Sequence, residues 1–255
     1  MGGRLRAKAP GKDDAASCRS LRADMTIKAE TPFQCRSTRS KAQIVRRVCE
    51  ALDAEYGRPR LGNPRRPLDD LFYVMISNRT APAMVDRTFR ALRRRFPRWD
   101  MLSRARVGSV ARVLRSAGLS AKKAEQMCAI VHRLTKDFGR CTLAPLTGSS
   151  DEDAESYLTS LPGVSTKVAL CVMMFTMGRF VLPVDSHVHR VSRRLGWLHT
   201  ESRHRSHNAL ADLVPPHRRH AFHVGCILHG RRVCRPTEPA CERCSLNRHC
   251  MLSAG

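Results

Sequence analysis

The sequence predicts an all-α protein. Apolar residues recur at the 3.6-residue spacing of amphipathic helices, no run of alternating strands joined by hairpin turns occurs, and proline- and glycine-bearing breaks separate the helical stretches. At 255 residues the chain is long enough for one large or two small domains with a buried core. Its longest largely apolar stretch, Val168 to Met177, is far shorter than the ~20 residues a membrane span needs. Lys and Arg number 46 against 22 Asp and Glu, a formal charge of +24, which favours a polyanionic partner and nucleic acid before a membrane surface.

Taken in order, residues 1–39 are rich in Arg, Ser, Ala and Lys without a helical apolar period, and read as a basic, disordered tail. No apolar segment of secretory-signal length follows the first basic residues; Asp13, Asp14 and Asp24 argue against a transit peptide, and Met25 offers an alternative start. Helical periods then follow through Ile44, Val48, Leu52 and Tyr56, through Val85, Phe89, Leu92 and Phe96, and through Met127, Ile130, Val131, Leu134 and Phe138. Pro59 to Pro67, Phe96 to Trp99 and Cys141 to Asp153 read as loops. Ten arginines fall between Arg87 and Arg115, with Asp86 and Asp100 the only carboxylates in or beside that stretch. Surface salt bridges cannot neutralise so many, so a phosphate-facing surface is expected there.

Leu161-Pro162-Gly163-Val164-Ser165-Thr166-Lys167 precedes the apolar run, with Pro and Gly marking a tight turn and Ser165 or Thr166 able to cap a helix. Backbone N–H groups at such a helix start can bind a phosphate. Lys167 falls in the first helical turn, beside the positive end of the macrodipole. Eighteen residues later, Pro183-Val184-Asp185-Ser186-His187 places a carboxylate at another helix start. A helix from Thr166 to Met177 rises about 17 Å, and the seven residues Gly178 to Val184 cover about 23 Å when extended. Asp185 can therefore return to the level of Lys167, and capping its own helix does not preclude a second task.

Eleven cysteines is an odd number, and four of them, Cys234, Cys241, Cys244 and Cys250, fall in a C-x6-C-x2-C-x5-C pattern. Four thiolates on a short loop can enclose one tetrahedral metal ion or a cuboidal iron–sulfur cluster. The remaining seven are scattered, as in a reducing compartment.

The segment Leu228 to Cys250 resembles the iron–sulfur loop of endonuclease III and its relatives in the helix-hairpin-helix DNA glycosylase superfamily. The hairpin with Lys167 and the Val184-Asp185-Ser186-His187 segment resemble that family's LPGVG and VDTH motifs at the same separation, so the likeness covers roughly residues 40 to 250. It implies a [4Fe-4S] cluster on the four cysteines and a base-flipping glycosylase acting on damaged pyrimidines in double-stranded DNA. In this reading Lys167 attacks the sugar C1′, forms a Schiff base and nicks the strand by β-elimination, aided by Asp185. Gly163, Ser165 and His187 would lie at the DNA, and Leu119 resembles the wedge that fills the gap left by the flipped base. The implied domains are 40–64 with 180–255 around the cluster, and 65–179 carrying the hairpin. A monomer acting inside the cell, with the DNA, is expected. Two positions depart from the family: Ser165 replaces the second hairpin glycine, and Arg79 stands where endonuclease III has a gap-filling glutamine, which bears on the preferred opposite base. A thymine or uracil glycosylase acting opposite guanine, a non-catalytic damage-binding protein and a zinc-binding module are the competing readings.

Overall fold

Ten α-helices and five short 3-10 turns account for the regular structure of the computed structural model among its described residues, and no strand occurs there. The described residues are 38–57, 61–78, 80–115, 118, 121–199 and 203–251. All but the last two residues of the expected tail 1–39 lie outside them, as do Arg79 and Leu119.

Local chemistry sets the helix starts. α1 (Thr38–Tyr56) carries the first periodic stretch. α2 (Pro67–Ser77) opens with proline, whose missing N–H costs nothing at that position, and has Asp69 and Asp70 in its first turn. α3 (Pro82–Arg95) likewise opens with proline and ends on Arg93, Arg94 and Arg95, where the macrodipole favours cations. α4 (Val107–Arg115) and α5 (Ala121–Phe138) follow. α6 (Asp151–Ser160) begins inside the stretch expected to be loop, because the Ser150 hydroxyl accepts the Asp153 amide at 3.0 Å and three acids fill the first turn. α7 (Thr166–Thr176) buries every residue from Val168 to Met174, the mark of a helix enclosed by others. α8 (Ser186–Arg194), α9 (Arg203–Leu213) and α10 (Arg219–Arg232) complete the set.

The helices bury two apolar cores. One runs from Leu68 to Met177, with α2 packed on α7 and α4 on α5, and with Phe72 meeting the Trp99 ring edge-on at 4.6 Å. The other joins the two ends of the chain: α1 and α8 both pack on α10, and Trp197 stacks on Phe222 at 5.7 Å. The chain passes from the first core to the second through Gly178–Val184, where Val181 packs on one and Leu182 is buried in the other. Arg179 fastens this crossing by donating to Asp151 Oδ1 at 2.7 Å and to the Leu146 carbonyl at 3.1 Å. No helix of the described residues is long and apolar enough to cross a membrane.

Phe72 is wholly buried, so Phe72→Ala should cost about 3–5 kcal/mol. A drop of that size in urea-unfolding free energy is the expected result.

Candidate active site

Both segments singled out in the sequence face one cavity. At the hairpin, the Val164 amide donates to the Leu161 carbonyl at 3.1 Å and Gly163 takes φ +76. A side chain at Gly163 would be strained at that φ, so the turn requires glycine. Ser165 is the N-cap residue of α7 with φ −90, an ordinary extended conformation, so the departure from the family's glycine carries no backbone strain. Its hydroxyl makes no cap hydrogen bond and is exposed. Lys167 is the second residue of α7 and half-buried.

Asp185 is the N-cap of α8. Its Oδ1 accepts the backbone amides of both His187, at 2.9 Å, and Val188, at 2.8 Å, so one carboxylate oxygen takes both cap hydrogen bonds. Burial would raise this carboxyl, but His223, the Val188 amide, His187 and Lys167 outweigh it and hold the pKa below the usual carboxylate range. Capping and presenting a charged oxygen thus coexist in one side chain.

Lys167, Asp185, His187 and His223 line a cavity of about 1220 Å³ together with Asn63, Tyr73, Ser77 and Asn78. That is ample for a nucleoside-sized ligand. Lys123, from the start of α5, lines it as well, and burial lowers its pKa. His223 is buried and donates from Nδ1 to the Pro183 carbonyl at 2.9 Å. Burial pushes its pKa down to about 4, against the pull of Asp185. The Val184 amide donates to His207 Nδ1 at 3.1 Å. Two histidines therefore hold the backbone just before Asp185. His187 stays below its ordinary pKa through burial and the guanidiniums of Arg190 and Arg231, against the pull of Asp185.

The sequence reading missed Asp70. It is wholly inaccessible, receives Asn63 Nδ2 at 2.6 Å on Oδ1, and has no partner for Oδ2. Burial pushes its carboxyl up to about 7, against the Asn63 hydrogen bond and the Lys167 charge. An acid on the apolar face of a helix was the one available signal.

The four cysteines of the C-terminal loop line a separate, small cavity. Arg194 reaches Cys234 Sγ at 3.1 Å and the Arg235 carbonyl at 2.8 Å, while Arg190 donates to the Cys234 carbonyl at 2.9 Å. The loop thus hangs on the C-terminal half of the helix whose N-cap is Asp185. Among the described residues no three candidate ligands converge closely enough for one ion. A tetrahedral zinc site with 2.3 Å bonds would bring sulfurs within about 3.8 Å of one another. Four thiols around one cavity, with His229 Nε2 3.3 Å from Cys244 Sγ, are a donor set that suits either a thiolate-held cluster or a single thiophilic ion.

Of the arginines between Arg87 and Arg115, Arg93 lies over the Trp99 ring at 4.8 Å and Arg98 pairs with Asp100 at 3.2 Å. Arg87, Arg90, Arg94, Arg104, Arg106, Arg112 and Arg115 are exposed.

The family model described as HhH-GPD superfamily base excision DNA repair protein matches residues 72–216. The chain is 29% identical over 192 residues to an endonuclease III of Thermotoga maritima, covering 75% of this chain and 86% of that one. It is 32% identical over 183 residues to a candidate DNA glycosylase of Arabidopsis thaliana, covering 71% of this chain but only 59% of the length of that relative. Among solved structures, a non-covalent endonuclease III–DNA complex superposes with a TM-score of 0.72 at 24% identity, over 84% of this chain and 96% of that one. A thermostable thymine-DNA glycosylase superposes with a TM-score of 0.69 at 21% identity, over 86% and 99%. At these identities the structural likeness establishes the shared fold.

Two stability measurements check this geometry. Asp185→Ala should lose about 1 kcal/mol with the cap, whereas Asp185→Asn, which keeps an acceptor oxygen, should stay within a few tenths. The Asp70 carboxyl has a higher pKa folded than unfolded, so its contribution falls as pH rises from about 4 to about 7. Asp70→Asn should therefore gain on the wild type between pH 5 and pH 8 by on the order of 1 kcal/mol, read by urea unfolding at both pH values.

Proposed function

The chain belongs to the HhH-GPD superfamily of base excision DNA repair proteins, and on that footing we propose that it is a DNA glycosylase with abasic-site lyase activity on damaged pyrimidines. The observation that carries the reading is that Lys167 and Asp185 line one cavity, with the Asp185 carboxylate fixed by two backbone amides on a single oxygen.

In this mechanism a nucleotide is extruded into the cavity, at a cost of a few kcal/mol that is smallest for damaged or mispaired bases. Asp185 Oδ2 takes a proton from the Lys167 ammonium, or stabilises positive charge on the sugar. The neutral amine attacks C1′, the C1′–N bond breaks with its electron pair leaving on the base, and the sugar ring opens to a Schiff base. Loss of the C2′ proton then expels the 3′ phosphate. Asp185 suits the role because it is held charged while spending only one oxygen on its helix.

The exposed hairpin at Gly163 and Ser165, with the free amides at the start of α7, would grip a backbone phosphate. His187 would sit beside the extruded sugar, while the exposed arginines of α3 and α4 would add contacts that do not depend on sequence. Arg79 would meet the opposite strand and Leu119 would fill the vacated stack. Cys234, Cys241, Cys244 and Cys250 would hold a [4Fe-4S] cluster, which supplies a rigid anchor for the loop when bound. We divide the chain accordingly into a cluster domain, 40–64 with 180–255, and a hairpin domain, 65–179. The partner is double-stranded DNA with damaged or abasic sites, engaged by a monomer wherever the cell keeps its DNA.

Borohydride trapping on an abasic-site duplex tests the proposal. The wild type should give a covalent complex, Lys167→Ala none, and Asp185→Asn at least about tenfold less. Absence of a complex in the wild type, with tight DNA binding, would instead support a monofunctional glycosylase or a damage-binding protein. Anaerobic protein should be brown, and colourless zinc-bearing protein would overturn the cluster.

A further inference from the structure

The cavity wall facing Lys167 carries an amide whose orientation is fixed from behind. Gly62 takes φ +84, and Pro64 disfavours helical backbone at the residue before it, so Asn63 is held in a turn that delivers its side chain onto α2. There Asn63 Nδ2 lies 2.6 Å from Asp70 Oδ1. An ionised carboxylate accepts and never donates, so the NH2 end of the amide must face it. That leaves the carbonyl end, Asn63 Oδ1, as the acceptor Asp70 does not engage, on a residue that lines the same cavity as Lys167 and Asp185. The neighbouring hydroxyls are differently disposed: Tyr73 donates to Asp86 at 2.7 Å and Ser77 to the Val74 carbonyl at 2.8 Å. Neither is oriented by a fully buried group.

Among the described residues one oxygen of Asp70 is buried without a hydrogen-bond partner, which is unfavourable, and the other receives Asn63. A carboxylate in that position makes sense as the part that sets the amide.

We propose that Asn63, oriented by Asp70, is a specificity-determining residue whose Oδ1 accepts a hydrogen bond from the extruded base, selecting bases with an N–H donor on the pairing edge, such as the N3–H of uracil-type pyrimidines. The inference rests on the base-extruding glycosylase reading above. A site that offers a fixed acceptor discriminates strongly, because a base without the donor leaves the buried oxygen unpaired. Asp70 is a positioning residue and acts only through Asn63.

The test uses duplexes carrying uracil, dihydrouracil or thymine glycol, each with and without a methyl group on N3, at about pH 8.5, where Asp70 is ionised. The wild type should excise at least one N3–H base about 100-fold faster than its N3-methyl counterpart. Asn63→Ala should reduce that ratio to about tenfold or less. Asp70→Asn, which frees the amide to turn, should give an intermediate ratio. Covalent trapping at a preformed abasic site, which needs no base, is measured in the same variants: a loss of trapping that accounts for the whole loss of excision would assign Asn63 to the lyase step and overturn the inference. A merely structural role for Asn63 would slow both bases alike and leave the ratio intact, which overturns the inference. A wild type that traps at abasic sites but excises none of these bases, or excises both members of each pair equally, overturns it too. Failure of the wild type to trap at all counts against the lyase reading instead.

Discussion

The N-cap of α8 is the joint on which the arrangement depends. Helix starts leave amides without partners, and a side-chain oxygen must supply them. Asp185 does so with Oδ1 alone, which fixes the carboxylate on the wall of the cavity that Lys167 also lines. Because the cap belongs to the second core and Lys167 to a helix enclosed by the first, the two groups meet only if the crossing at Gly178–Val184 returns along α7. Arg179, His207 and His223 each hold that crossing through backbone groups, and two of the three are buried.

The other end of α8 carries the cysteine loop through Arg190 and Arg194. One short helix therefore links the acid in the cavity to the thiol-lined site, and folding the loop and orienting Asp185 are mechanically connected. Polar groups that would be liabilities in an ordinary core, Asp70 and His223 above all, are buried within electrostatic reach of Lys167. Their pKa values are moved mainly by burial, as expected of groups held at a site instead of solvated at the surface.

The helices, the turn at Gly163, the meeting of Lys167 with Asp185 and the grouping of the cysteines were legible in the sequence because each leaves a spacing: 3.6 residues, a Pro-Gly turn, an eighteen-residue return, a C-x2-C knuckle. The start of α6 was not, since Ser150 sits in a polar run whose capping role appears only once the Asp153 amide is seen to reach it. Asn63, Asp70 and His223 were illegible for a different reason. Each is a single polar residue whose meaning comes from a neighbour in space, seven, one hundred or forty positions distant in chain terms, and no periodicity marks such pairs. The concern over Ser165 dissolved because the position takes φ −90, which a sequence cannot specify.

Two lysines line the cavity, and only one stands with the oriented carboxylate at a helix start. Peptide mapping by tandem mass spectrometry of the borohydride-reduced DNA adduct therefore tests the central claim most directly. The account predicts a single modified peptide with the sugar remnant on Lys167. A remnant on Lys123, or spread over several amines, would contradict it.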